Sequence, residues 1–284
     1  MRKFRVRKAL LAVPVLAIAL VMSSQIFAAT LFTQGFETDT SGWFTPTRVA
    51  SGTNGITAAA GSFYAQTAQD AGDFTRWGGY NLSTGGSPGA FQPYMTSIDI
   101  YLNLSSGAAN DTRFDISSAI NGPTGSFLRD FVFNAGFYTS ADLTGPGAGT
   151  DRFVIAAGNN AGRGSSFPKD PGHAPVAISS SGWYTFQWSF FDNGGQLGVT
   201  MDILDSTSSV IASWLLGSDL ISTVGGNRYG WFASNEFSFL AIDNALLTGV
   251  SPTPLPATLP LLVSGLGALG LLGWRRKQKA QATA

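Results

Sequence analysis

Trp183–Leu204 reads WYTFQWSFFDNGGQLGVTMDIL. Tyr184, Phe186, Trp188 and Phe190 alternate with Trp183, Thr185, Gln187 and Ser189. Leu197, Val199, Met201 and Ile203 alternate in the same way with polar or small residues. A period of two places each apolar set on one face of an extended strand. Between the two runs stands Asp192-Asn193-Gly194-Gly195, and glycines there supply the positive φ that a tight hairpin turn needs. The stretch predicts an antiparallel hairpin with one buried face, with Trp188 on the core side.

The same period recurs elsewhere. In SIDIYLNL, Ile98, Ile100, Leu102 and Leu104 share one face, while Asp99, Tyr101 and Asn103 share the other. Phe127, Phe131 and Phe133 form a further row. Turn-forming segments separate these runs: NLSTGGSPG, NGPTG, TGPGAGT and NNAGRGSSFPKDPGHAP. Long helical periodicity and fixed repeats are both missing. Residues 30–249 are therefore expected to fold as one all-β domain, an antiparallel β-sandwich of jelly-roll type.

Both ends of the chain read differently. Arg2, Lys3, Arg5, Arg7 and Lys8 precede an apolar run from Ala9 to Met22, and Phe27-Ala28-Ala29 offers small residues for cleavage. Residues 1–29 are read as a secretory signal peptide, with an uncleaved anchor as the alternative. At the other end, 250–258 is a Pro-rich linker with Pro252, Pro254 and Pro256. Ala257–Trp274 carries no charge, and as a helix it would be about 27 Å long, enough for a thin bilayer core. The transmembrane segment is placed at 259–274 and the basic tail at 275–284. That tail would stay on the cytoplasmic side.

Charge follows these boundaries. Between Thr30 and Val250 lie 8 basic and 17 acidic residues, a net charge of about −9. Nucleic acid, which needs a basic footprint, is excluded as a partner. The chain has no cysteine and one histidine, His173, so thiolate metal sites and thiol nucleophiles are excluded and any resident metal should be oxygen-bound. Gly85–Gly89 fits G-x-S-x-G and Gly265–Gly270 fits G-x-G-x-x-G, but neither has the strand and helix around it that its chemistry requires. Two of the 17 acidic residues are glutamate, Glu37 and Glu236, and no E-x-D-x-E pattern occurs. Catalytic residues are accordingly expected to be none, with a polysaccharide hydrolase or lyase as a minor alternative.

The proline patch, the short glycine-bearing apolar segment and the terminal arginines together resemble the PEP-CTERM sorting signal. Pro254-Leu255-Pro256-Ala257 with Arg275 and Arg276 match it in a Pro-Leu-Pro form, with Leu255 where the name-giving motif has glutamate. The resemblance implies an exported protein of a Gram-negative bacterium. Such a chain pauses in the inner membrane through its C-terminal helix, and an exosortase-like processing enzyme then acts on it. It would finish at the cell surface or in the extracellular matrix, in association with exopolysaccharide and biofilm. An ordinary tail anchor is the alternative.

A second resemblance covers less of the chain. LFTQGFETDTSGW and Ile242-Asp243-Asn244 are similar to the first and last strands of jelly-roll carbohydrate-binding and galactose-binding-like domains. It implies that these strands are neighbours and that Glu37 and Asp243 could hold a structural calcium. Surface carboxylates capping strand ends are the alternative. Sugar faces stack on aromatic rings, and Trp43, Trp77, Tyr80 and Arg76 are placed in polar or Gly-rich loops as candidate ligand-binding residues. The expected function is a non-catalytic surface or matrix protein, with a glycan-binding module as the alternative.

Overall fold

The computed structural model describes residues 28–67, 69, 76–81, 91–159, 167–225 and 227–250. The predicted hairpin forms as read. β11 (Gly182–Asn193) and β12 (Gln196–Leu204) pair from Thr185↔Leu204 to Asn193↔Gln196. Only Gly194 and Gly195 lie between them, at φ 68° and 90°. Both central residues are thus left-handed, the geometry that matches strand twist. The Asp192 carboxylate accepts the Gly195 N–H at 2.6 Å and fixes the turn.

The other strands in chain order are β1 (Ala28–Gln34), β2 (Trp43–Phe44), β3 (Thr47–Ala50), β4 (Phe63–Gln66), β5 (Arg76–Asn81), β6 (Tyr94–Leu102), β7 (Thr112–Asn121), β8 (Phe127–Tyr138), β9 (Arg152–Asn159), β10 (Val176–Ile178), β13 (Val210–Leu220), β14 (Asn227–Asn235) and β15 (Ala241–Val250). They build two sheets. One runs β13-β12-β11-β6-β15-β4-β3, with β1 also paired to β15; the other runs β10-β9-β8-β7-β14-β5-β2. The ladders are antiparallel throughout. The domain is an antiparallel β-sandwich of jelly-roll type, as expected. First and last strands are neighbours, from Ala28↔Val250 to Gln34↔Ala245.

Strict alternation explains the core. Along β6 every second residue from Tyr94 to Leu102 is buried, so Ile98, Ile100 and Leu102 face inward as read. Opposite them stand Phe131 and Phe133 of β8, also buried. Phe127, the first of that row, reaches past the core and is exposed. Phe114 is ringed by Phe153, Phe186, Phe232 and Phe237, with centroids 6.0–6.4 Å apart. Trp188 is 2% exposed and bridges the sheets, its indole N–H donating to the Phe131 carbonyl at 2.9 Å. The offset and edge-on contacts among these rings add to the burial of their area.

A smaller apolar cluster forms on the far face of the first sheet. The 51–62 segment folds over it and buries Ile56, Tyr64 and Ala241, with Tyr101, Trp183 and Phe239 packed against them. The Trp183 indole donates to the Thr57 carbonyl at 2.7 Å and holds the segment down.

The residues read as a signal peptide, up to Phe27, and those read as a C-terminal sorting signal, including Pro254, Leu255, Pro256, Ala257, Arg275 and Arg276, lie outside the described residues. Among the described residues no helix is long and apolar enough to cross a membrane.

Candidate functional site

Three loops converge at one end of the sandwich. The β14–β15 loop is drawn inward by Phe237, which is buried and stacks on Phe153 at 5.8 Å. Buried Asn235 and Thr67 pin it. The Asn235 amide donates to Thr67 Oγ1 at 3.0 Å, and the Leu240 N–H donates to the same oxygen at 2.8 Å. With Phe237 and Leu240 inside, Glu236 and Ser238 stay exposed. The β6–β7 loop is shaped by Asn103, whose side-chain oxygen accepts the Ser105 N–H at 2.9 Å, and by Gly107 at φ 72°. The third wall is the turn at Thr53–Gly55, tied by the Tyr64 hydroxyl to the Thr53 carbonyl at 2.7 Å.

Between them is a cleft of about 610 Å³, within the usual range for a small-molecule site. Half-buried Tyr101 and Phe239 supply ring surface, Asn54, Asn103 and Gln69 supply amides, and Glu236 supplies a carboxylate. Glu236 is held rigidly. Its Oε2 accepts the Arg113 N–H at 2.8 Å, and its own N–H donates to the Arg113 carbonyl at 2.9 Å. Gln69 Nε2 donates to the Glu236 carbonyl at 3.1 Å. Among the described residues the lining contains no basic side chain. The sequence hinted at this site only through the rarity of Glu236, because its walls come from segments about 50 and 130 residues apart.

The aromatic residues chosen from sequence lie in strands and not in the loops expected for them. Trp43 is in β2, 7% exposed, in the main core with its ring 6.3 Å from Phe36. A ring packed there has no free face for a sugar; burial of its apolar area outweighed its polar sequence neighbourhood. Arg76, Trp77 and Tyr80 are strand residues of β5, where Trp77 pairs with Trp43 and Tyr80 with Arg228. Their side chains lie outside the description.

Glu37, in the bend after β1, and Asp243, in β15, approach one short segment. Both Glu37 oxygens accept the Ser62 N–H, at 3.0 and 3.1 Å, and Oε1 also accepts the Phe63 N–H at 3.1 Å. Asp243 is fully buried. Its Oδ2 accepts the N–H groups of Ala59 and Ala60 at 3.0 and 3.3 Å, and its Oδ1 that of Asn244 at 2.8 Å. Burial, reinforced by the nearby Asp99 carboxylate, pushes the Asp243 carboxyl up to about 6 against the pull of those N–H groups. Calcium requires about six to eight oxygen ligands converging on one point. Here the positive ends of N–H dipoles are aimed at the oxygens a cation would need. Among the described residues no group of three or more His, Asp or Glu side chains is placed to hold a metal. As arranged, the pair does not fit a calcium.

No protein-family model matches the chain, and no curated protein matches it. Among solved structures it is similar to the CBM2 module of the evolved Dit of Lactobacillus casei phage J-1. The identity is 11%, the TM-score 0.43, and the match covers 80% of this chain and 98% of that one. The carbohydrate esterase of Shiga toxin-encoding bacteriophage phi24B gives 12% identity and a TM-score of 0.45, covering 79% and 100%. Peanut lectin gives 9% and 0.39, covering 80% and 100%. At TM-scores below 0.5 these likenesses decide neither ligand nor activity.

Proposed function

We propose that this is an exported, non-catalytic glycan-binding domain, displayed at the cell surface or in the matrix of a Gram-negative bacterium. The cleft at the loop end of the sandwich carries the reading. It combines ring surface from Tyr101 and Phe239 with amides from Asn54, Asn103 and Gln69, the pairing of apolar face and polar fringe that a pyranose presents in complement. Among the described residues of its lining Glu236 is the single carboxylate. Glycoside cleavage by the common route uses two carboxyls about 5–10 Å apart, so the cleft is better furnished for holding a sugar than for cutting it. Glu37 and Asp243 are read as clamps on the 59–63 segment, not as calcium ligands.

Export and display rest on the terminal signals. The basic and apolar start supports secretion. The Pro254–Ala257 motif with Arg275 and Arg276 supports sorting by an exosortase-like enzyme, with a role beside exopolysaccharide in biofilm. Mass spectrometry of the mature C-terminus from the native host tests the sorting. A terminus near Pro254–Ala257 supports it, and an intact Ala284 favours a permanent anchor. The binding role is tested by titrating the purified protein against a broad glycan panel, with Tyr101→Ala and Asn103→Ala as variants. Loss of binding in variants that keep the wild-type melting temperature supports the cleft, and retention of no glycan in the panel refutes the role.

A further inference from the structure

The charge of the cleft narrows the ligand, on the assumption that the domain binds glycans there. Glu236 is the decisive group. Its Oε2 is tied to the Arg113 N–H at 2.8 Å, and its main chain is tied to Arg113 and to Gln69. The Arg113 N–H thus holds one carboxylate oxygen, and Glu236 lines the cleft.

Among the described residues no lining side chain carries the opposite charge. The Arg113 guanidinium feels Glu236, but Asp111 more strongly: it pairs with Asp111 at 2.7 and 2.8 Å and donates to the Phe167 carbonyl at 2.5 Å. The neighbouring amides offer the cleft both functions: Asn103, whose oxygen accepts the Ser105 N–H, keeps its N–H donors. Gln69 spends an N–H on the Glu236 carbonyl and keeps its side-chain oxygen as an acceptor. Over the whole domain a net charge of about −9 repels polyanions and attracts polycations.

We propose that the cleft selects glycans carrying free primary amines, that is, polymers of partly or fully deacetylated amino sugars. The ammonium would sit on Glu236 as a charge-assisted hydrogen bond, and the sugar ring against Tyr101 and Phe239. N-acetylation would remove the positive charge that meets Glu236. A uronate polymer would bring a second carboxylate against it.

The test is calorimetric titration of the full-length protein with deacetylated chito-oligosaccharide, its fully N-acetylated counterpart and oligogalacturonate. Glu236→Gln is the chief variant, because its amide oxygen can still accept the Arg113 N–H and so preserve the loop. Asp202→Asn, which makes the same charge change on β12 outside the cleft, is the control. The expected result is binding of the deacetylated oligomer about tenfold tighter than the acetylated one, lost by about tenfold in Glu236→Gln and unchanged in Asp202→Asn. Equal or tighter binding of the acetylated or uronate oligomer overturns this inference and leaves the glycan-binding reading standing. Equal weakening in both variants, or none in Glu236→Gln, also overturns it, because attraction would then be diffuse. Absence of binding to all three oligomers and to the wider panel refutes the glycan-binding reading itself.

Discussion

Asp243 stands directly opposite Asp99 across the ladder between β15 and β6. Two like charges in register are unfavourable, and each is compensated differently. Asp99 accepts the Thr185 hydroxyl at 2.6 Å and the Asn244 amide at 2.8 Å. Asp243 accepts three backbone N–H groups, two of them from the 59–63 segment that caps the sheet.

This pairing sets a pH response. A carboxyl raised to about 6 in the folded protein binds its proton more tightly folded than unfolded. The stability it contributes is complete below the ordinary value of 3.8 and is lost as pH rises through about 6. The domain should therefore gain stability on acidification from pH 7 toward pH 4. In Asp243→Asn, urea midpoints at pH 7 and pH 5 should nearly coincide. An undiminished slope in that variant would locate the titrating group elsewhere.

Calcium should leave the melting temperature unchanged. A specific site absent from the unfolded chain would contribute about 2.7 kcal/mol at a hundredfold excess over Kd, several degrees for a domain of this size. With Glu37 and Asp243 saturated by N–H donors, scans with calcium and with chelator should superimpose. A rise of several degrees, abolished by Glu37→Gln, would restore the pair as ligands.

Arg152 should be far more sensitive than an arginine usually is. It is fully buried, and its guanidinium donates to the carbonyls of Pro146, Thr144 and Thr150 at 2.7–2.8 Å and to the Asp142 carboxylate at 3.1 Å. Lys169 also reaches that carboxylate, at 2.8 Å. Hydrogen bonds from Lys169 and Thr144 hold the Asp142 carboxyl far below the usual carboxylate range. Arg152→Met leaves these acceptors buried without their donor, at a cost of about 3–5 kcal/mol in denaturant unfolding. A loss under about 1 kcal/mol would mean that water replaces the guanidinium freely.

The hairpin turn isolates backbone conformation from packing. A Cβ added to Gly194 or Gly195 meets nothing within 4 Å, yet both lie at positive φ. Gly194→Ala should cost about 1–2 kcal/mol, and Gly194→Asn less, since Asn tolerates that region. Equal stability of Ala and Asn variants, measured by thermal unfolding, would show that the turn shifts to another type.

The strands of the core were legible because alternation is a local property. Tyr184–Phe190, Leu197–Ile203 and Ile98–Leu102 each carry their face assignment in their own spacing, and Gly194-Gly195 states the turn between two of them. Trp43 was misplaced because β2 has 2 residues, too few to show a period, and Trp77 because Gly78-Gly79 interrupts the alternation of β5. Their pairing partners come from distant parts of the chain. TGPGAGT reads as a turn-rich break, and nothing in it announces that Arg152 sits at its centre holding it together.

By itself, then, the sequence determined the all-β class, the hairpin and the apolar face of each long strand, and the proposed terminal sorting signals rest on it alone. The cleft, the Arg152-centred loop and the opposition of Asp99 to Asp243 were decided by tertiary structure. Each depends on loop closure and strand register between residues far apart in the chain. Their free energies come from burial and hydrogen bonds that exist only once both sheets have packed.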